Sequence, residues 1–397
     1  MSTEPNELIG VTAPAGFSAA GVVAGIKATA GARDLALVVN EGPAYASAGV
    51  FTSNRIVAAP VTLTRAHLRA GTLKAVILNS GGANACTGAP GMVDAKSTAA
   101  HVGALLRLDE SEIGVCSTGM IGMRLPMEKI LAGAAAAKNA LASTPEAGAA
   151  AADAIRTTDT VSKTHASTHG GWTIGGMAKG AGMLAPGLAT MLCTLTTDAV
   201  LDDATAQRCL AEAVRTTFNR TDSDGCMSTN DSVILLASGA SGIVPDESEF
   251  TGALRAACAD LARQLISDAE GASHDIEIRV VGASSQDAGE AVARAVSRSN
   301  LFKTAVFGND PNWGRILSEV GTVPEEVAPY DPAEVDVSIN GVMVCRGGGV
   351  GEDRELVDMT PREVHVLIDL KAGAEEVVLW TNDLTHDYVH ENSAYSS

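Results

Sequence analysis

The chain has 397 residues, 46% of them hydrophobic, enough for a sizeable core. Its formal net charge is −19, from 47 acidic against 28 basic residues, and only 3% of residues are aromatic. Phosphate backbones and anionic lipid would be repelled and base-stacking surfaces are scarce, so nucleic acid and membrane are excluded as expected partners.

In chain order, the start MSTEPNELIG is acidic and polar, without the basic and apolar parts of a signal peptide. No apolar run approaches a membrane span, so a cytoplasmic location is expected. Leu35 to Val39 and Val50 to Thr52 read as strands separated by the turn-forming Gly42-Pro43. Lys74 to Leu78 is a further strand running into Asn79-Ser80-Gly81-Gly82-Ala83-Asn84, and Ile113 to Cys116 runs into Ser117-Thr118-Gly119. Strand ends that open into Gly/Ser/Thr loops are common places for sites in layered α/β folds, although each is also an ordinary turn. Ile130 to Ile155 is alanine-rich and broken at Ser143-Thr144-Pro145, which predicts two helices with a proline start between them. His165 and His169 have the spacing of zinc ligands on a helix. Ser167, Thr168 and the following glycines oppose a helix there, and no third ligand is near, so no metal site is expected.

Lys179 to Ala199 reads KGAGMLAPGLATMLCTLTTDA, a glycine-rich loop closing on Pro186-Gly187 and then a run of β-formers. Gly180 to Ala185 fits a loose GxGxxA fingerprint, but Pro186-Gly187 forbids the continuing helix that a dinucleotide site needs. Thr190 stands where the loop enters the strand. On composition alone it is either a turn residue chosen for β-propensity or a nucleophile exposed by cutting the chain before it. Beyond it, Asp203 is placed to cap a helix running to about Phe218. Val233 to Ala237 is a strand after the polar loop Asn219 to Ser232. Phe250, Leu254, Cys258, Leu261 and Leu265 mark one face of a helix ending near Asp268-Ala269-Glu270-Gly271. Ile276 to Val281 is predicted as a strand and Ala288 to Val296 as a helix, followed by a turn-rich loop from Gly308 to Arg315. Val335 to Ile339, Asn340-Gly341 and Val342 to Cys345 form a hairpin signal. Pro361 to Leu370 reads as helical, Val377 to Trp380 as a strand, and the rest as a polar tail. The seven cysteines are scattered singly, as suits reduced thiols.

The stretch around Thr190 resembles the cleavage site of the ornithine acetyltransferase (glutamate N-acetyltransferase) family of arginine biosynthesis, with its KGxGMxxPxxAT motif. The blocks GIKATAGARDLALVV, NSGGANACTG, STGMIGMRLPM, TTDT, NRTDSDGCMSTNDS, GNDPNWGRI and TNDLTHDYVHENSAYSS extend the resemblance over almost the whole chain. Gly82 and Cys226-Met227 depart mildly from the usual pattern, away from any position given a role.

The resemblance implies an α/β fold of layered mixed sheets with helices, of the ornithine acetyltransferase/aminopeptidase-like N-terminal-nucleophile kind. It implies self-cleavage between Ala189 and Thr190 into intertwined segments, 1–189 and 190–397, and an assembly of two alpha and two beta chains. Acetyl would pass from N2-acetylornithine to glutamate through an ester on Thr190. Thr118 and Gly119 would form the oxyanion hole, with Thr158, Lys179, Thr190, Glu270, Asn392 and Ser397 around the substrate. No metal or organic cofactor is implied, although some members also use acetyl-CoA as a co-substrate. A rival is an N-terminal-nucleophile aminopeptidase or amidohydrolase of the same fold. The amino-acid-binding set Lys179, Glu270, Asn392 and Ser397 distinguishes the transferase.

Overall fold

The computed structural model describes residues 10–184 and 191–394. In chain order the elements are β1 (Phe17–Val22), β2 (Leu35–Asn40), β3 (Ala46–Phe51), α1 (Ala59–Ala70), β4 (Ala75–Ser80), α2 (Gly88–Leu106) and β5 (Ile113–Thr118). They continue with α3 (Met127–Asn139), α4 (Pro145–Ala154), β6 (Lys163–His169), β7 (Trp172–Lys179), β8 (Leu192–Thr197), α5 (Asp203–Arg215), β9 (Ser232–Ala237) and α6 (Glu247–Ser267). The remainder are β10 (Asp275–Ala283), α7 (Gln286–Ser297), α8 (Asn300–Phe307), α9 (Trp313–Val320), β11 (Asp336–Ile339), β12 (Val342–Arg346), β13 (Gly349–Val350), β14 (Glu363–Asp369), β15 (Glu375–Asn382) and α10 (His386–Ala394).

Among the described residues these strands form three mixed sheets, ordered β1-β2-β4-β5, β3-β9-β8-β7-β6 and β13-β12-β11-β14-β10-β15. The first two stack face to face. Ala36, Val38, Val76 and Leu78 of one meet Met177, Leu192, Ile234 and Leu236 of the other in a shared core. The outer face of the first sheet, including Leu35, Leu37 and Ile77, is covered by Ala95, Ala99 and Val102 of α2 and by Ile130 and Ala134 of α3. The outer face of the second, including Ile174, Cys193 and Leu195, is covered by Leu210 and Val214 of α5 and by Leu254, Leu261 and Leu265 of α6. The result is a helix–sheet–sheet–helix sandwich, which explains why strands such as β2 are buried along their whole length. The third sheet carries α7, α8 and α9 on one face.

Strand order in the second sheet bears on the expected scissile bond. β3, β6 and β7 precede Ala189–Thr190 in the chain, and β8 and β9 follow it. β8 pairs antiparallel with β7 and parallel with β9, and β9 pairs antiparallel with β3. The sheet is therefore shared by both sides of that bond, as the sequence reading expects.

Several sequence expectations are corrected. Pro361 to Leu370 is not helical; β14 lies between β11 and β10 in its sheet. Val364, Val366 and Ile368 alternate inward, a period of two that outweighs the proline start signal. The cap of α5 is Asp202, which accepts the Thr205 N–H at 2.7 Å, and the helix ends at Arg215. Asp203 instead accepts the Ser47 N–H and the Thr72 hydroxyl. The loop expected through Arg315 gives way at Trp313 to α9, because Asn312 caps the Arg315 N–H. The polar tail, for which no element is expected above, forms α10, started by the Thr385 hydroxyl accepting the Tyr388 N–H at 3.0 Å. That helix buries none of its residues, so no apolar periodicity announced it. His165 and His169 lie on β6, where both rings bond the Ser167 hydroxyl.

Among the described residues no helix is long and apolar enough to cross a membrane.

Candidate active site

Thr118, Gly119, Thr158, Lys179, Glu270 and Asn392 line one cavity of about 90 Å³, together with Thr157, Gly182 and Met183. Thr158 and Glu270 also line an adjoining, larger depression of about 480 Å³ that includes Asp268, Arg362 and Glu391. The sequence-predicted site residues that fall within the described chain are thus brought together. Ala189, Thr190 and Ser397 lie outside the described residues. Met191, next to Thr190, leads directly into β8.

Thr118 ends β5, beside Ser80 at the end of β4. Its carbonyl accepts the Gly81 and Gly82 N–H groups, each at 3.0 Å, so the NSGGANACTG loop folds under it. Asn230 secures the same loop from another strand end, donating to the carbonyls of Ala83 and Ser117 at 2.6 and 2.9 Å. Gly119 follows with φ +125°, and a Cβ there would lie 2.6 Å from the Gly82 nitrogen. Only glycine fits that turn. Among the described residues the Gly119 N–H has no hydrogen-bond acceptor, which leaves it available as a donor.

Lys179 ends β7 and is 1% exposed, with Nζ donating to Thr118 Oγ1 at 3.2 Å. Burial lowers the pKa of its ammonium, while Asp159, Asp231 and Glu270 pull it back up. Asp159 is the principal anchor of this corner. It receives the Gly180 N–H at 2.6 Å, the Thr157 N–H at 2.9 Å and the Lys163 ammonium at 2.7 Å. Burial would raise its pKa, but Lys179, Lys163 and these hydrogen bonds together bring it down to about 2. Lys163 is itself fully buried and also pairs with Asp268 at 2.6 Å. Asp159 therefore ties the TTDT turn, and with it Thr158, to the end of β7.

Glu270 reaches the cavity after α6 ends. Its N–H donates to the Ala181 carbonyl at 2.9 Å, and the Asn392 amide of α10 donates to its Oε2 at 2.9 Å. A Cβ on Gly182 would lie 2.5 Å from Glu270 Oε2, so the glycine-rich loop serves to admit this carboxylate. Met183 N–H donates to Asp224 at 2.7 Å, fixing the loop to the NRTDSDGCMSTNDS block. The cavity thus offers one buried cation, one carboxylate, and a hydroxyl and an N–H donor at a strand end.

Sequence reasoning missed the supporting charges Asp159, Lys163 and Asp231. Asp159 sits inside the TTDT block and Asp231 inside NRTDSDGCMSTNDS, so the blocks were visible and the pairings were not.

A profile of the ArgJ family matches residues 18–397. The Arginine biosynthesis bifunctional protein ArgJ of Bifidobacterium longum is 59% identical over 389 residues, spanning 98% of this chain and all of that protein. Its counterpart in Streptomyces avermitilis is 59% identical over 387 residues, with the same coverage of both chains. Among solved structures, the ornithine acetyltransferase of Mycobacterium tuberculosis complexed with ornithine is 56% identical. It covers 47% of this chain and 97% of its own, with a TM-score of 0.45. On its length of match and identity to curated relatives, this chain belongs to the ArgJ family of arginine biosynthesis.

Proposed function

We propose that the chain transfers acetyl from N2-acetylornithine to glutamate, giving ornithine and N-acetylglutamate, by way of an ester on Thr190. The observation that carries this reading is the cavity where Thr118, Gly119, Lys179, Glu270 and Asn392 meet, with Lys179 paired to Leu192 at the start of β8. A buried cation and a carboxylate suit the α-carboxylate and amino group of an amino acid.

In the first stage the Thr190 hydroxyl attacks the Ala189 carbonyl and the Ala189–Thr190 C–N bond breaks, freeing the α-amine and leaving Ala189 as an ester on Thr190 Oγ. Water then hydrolyses that ester, giving segments 1–189 and 190–397 with the hydroxyl restored. The new α-amine, with an ordinary pKa of about 7.7–8, is partly unprotonated near neutrality. It takes the proton of its own hydroxyl as Thr190 Oγ attacks the acetyl carbonyl. Thr118 and Gly119 donate to the oxyanion, ornithine leaves with the proton on its amine, and the glutamate amine then attacks the ester, its proton passing by way of the α-amine to Thr190 Oγ as the ester C–O bond breaks. Positioning that amine gives it an advantage of orders of magnitude over unpositioned water. This chemistry requires no metal or organic cofactor; acetyl-CoA is a second acetyl donor consistent with the bifunctional name of the relatives. The shared second sheet supports cut halves that stay together; the assembly of two alpha and two beta chains rests on the family resemblance alone.

The test is to supply acetylornithine alone, then with glutamate, while following ornithine release. About one equivalent per site without acceptor, then turnover when glutamate is added, is the expected result. Sustained release of ornithine and acetate without acceptor would identify a hydrolase instead. A denaturing gel with N-terminal sequencing of the second band should give Thr190 as its first residue.

A further inference from the structure

Asp224 and Lys303 share a small polar cavity that the chemistry above does not use. The cavity, of about 70 Å³, lies between Ser223 and Asp224 of the NRTDSDGCMSTNDS block, Lys303 of α8 and Tyr388 of α10. Glu270 lines both this cavity and the one that holds Thr118 and Lys179, so the two adjoin at that carboxylate. Lys303 is 6% exposed, and among the described residues its ammonium donates to the Ser223 carbonyl and makes no ion pair. Asp224 accepts the Met183 N–H at 2.7 Å and the Cys226 N–H at 3.0 Å, and it too makes no ion pair among the described residues. The other aspartates near Lys303 are engaged elsewhere. Asp222 holds Arg298 at 2.7 Å, and Asp383 accepts the Ser273 and His274 N–H groups at 2.9 and 3.0 Å. Buried charges are ordinarily paired, so an ammonium and a carboxylate left apart in one cavity mark room for a charged group between them.

The two substrates carry such groups, with opposite signs. Ornithine and glutamate have the same carbon chain, ending in an ammonium in one and a carboxylate in the other. Both must occupy one site in turn if a single ester passes acetyl between them. A subsite of one sign would repel one of the two side chains. We propose that this cavity receives the side-chain terminus of both substrates, Asp224 pairing with the ornithine ammonium and Lys303 with the terminal carboxylate of glutamate. This rests on the acetylornithine-to-glutamate reading.

Burial pushes the Asp224 carboxyl up and the Lys303 ammonium down, and an opposite charge entering the cavity favours the ionised form of each. The Tyr388 hydroxyl is pushed up to about 12 by burial and by Asp224 and Glu270, so it stays protonated as a further donor to a carboxylate. The larger depression beside the active site also has both signs, but they are already paired. Its Arg362 holds Asp275 at 3.1 Å, and its Asp268 holds Lys163 at 2.6 Å. The Arg362 side chain is also 46% exposed, where water screens its charge.

The experiment uses norvaline and N-acetylnorvaline, which keep the carbon chain and lack the terminal charge. Wild type is expected to favour acetylornithine over N-acetylnorvaline as donor, and glutamate over norvaline as acceptor, each by about 10–100-fold in kcat/KM. Asp224→Asn keeps the shape and one acceptor for the Met183 and Cys226 N–H groups. It should shrink the donor preference toward unity and spare most of the acceptor preference. Lys303→Gln, which keeps a donor for the Ser223 carbonyl, should do the reverse. A purely structural role would slow all these compounds alike and leave both ratios unmoved, and that result in folded variants overturns the proposal. So does a wild type that handles the norvaline compounds as well as the natural ones. If either variant does not fold, Asn300→Asp sets a carboxylate on the cavity wall at the start of α8, where a negative charge suits the helix. It should weaken the preference for glutamate and strengthen that for acetylornithine, and unchanged ratios would again overturn the proposal. Failure of the transfer reading itself would show separately, as wild type that makes no N-acetylglutamate from acetylornithine.

Discussion

Replacing Thr118 by alanine tests the oxyanion assignment most directly. Lys179 Nζ donates to Thr118 Oγ1 at 3.2 Å, which occupies a lone pair and leaves the single hydroxyl proton to point elsewhere. The cavity beside the Gly119 N–H is where that proton is useful. Removing one such donor costs about 10²–10³ in turnover, or about 2.7–4 kcal/mol of barrier. The same change leaves the buried Lys179 ammonium short of an acceptor, at a cost to stability of about 1–3 kcal/mol. The backbone bonds from Gly81 and Gly82 to the Thr118 carbonyl do not depend on the side chain, so the fold should persist. Acetyl transfer from acetylornithine to glutamate would be measured alongside thermal unfolding. The loss should appear in kcat with little change in KM, because the interaction strengthens only in the transition state. Thr118→Ser keeps the hydroxyl and should retain most of the rate. A folded Thr118→Ala enzyme with normal kcat would refute the reasoning.

Other outcomes follow from the same corner. Gly119→Ala should impair both the fold and the rate, since the new Cβ would meet the Gly82 nitrogen at 2.6 Å with φ at +125°; a wild-type melting temperature would count against that geometry. Asn392→Ala removes the hydrogen bond that its amide donates to Glu270 and should raise the KM for acetylornithine several-fold, by about 1 kcal/mol, with the chain still cut. Unchanged kinetics would return α10 to a structural role. The depressed pKa of Asp159, about 2 against an ordinary 3.8, contributes stability that is fully present above about pH 4. That contribution, on the order of 2 kcal/mol, is lost as pH falls from about 4 toward 2. Acid denaturation of Asp159→Asn should accordingly be shallower than that of wild type over that window, and matching curves would sink the attribution. Thr190→Ala should run as one full-length band on a denaturing gel, and two bands would place the cut elsewhere.

Much of the local structure was legible in the sequence because its causes are local. Asn340 and Gly341 adopt φ of +46° and +85°, as the tight hairpin between β11 and β12 requires. Thr144 and Pro145 start α4 by capping and fixed φ. The β-formers after Thr190 fold as β8, and the family motifs identified the residues lining the cavity. What the sequence could not decide is partnership. Lys179 meets Thr118 across 61 residues of chain, and Asn392 meets Glu270 across 122. Such contacts exist only because the ends of β5 and β7, the turn after α6, and α10 converge in the folded chain. The helical reading of Pro361 to Leu370 failed for a related reason: a short apolar run takes its state from the strands beside it, and β10 and β11 supplied the hydrogen bonds. The state of Asp231 is likewise a tertiary fact, because an aspartate in a polar loop reads as solvated until the strand register buries it beside Met191.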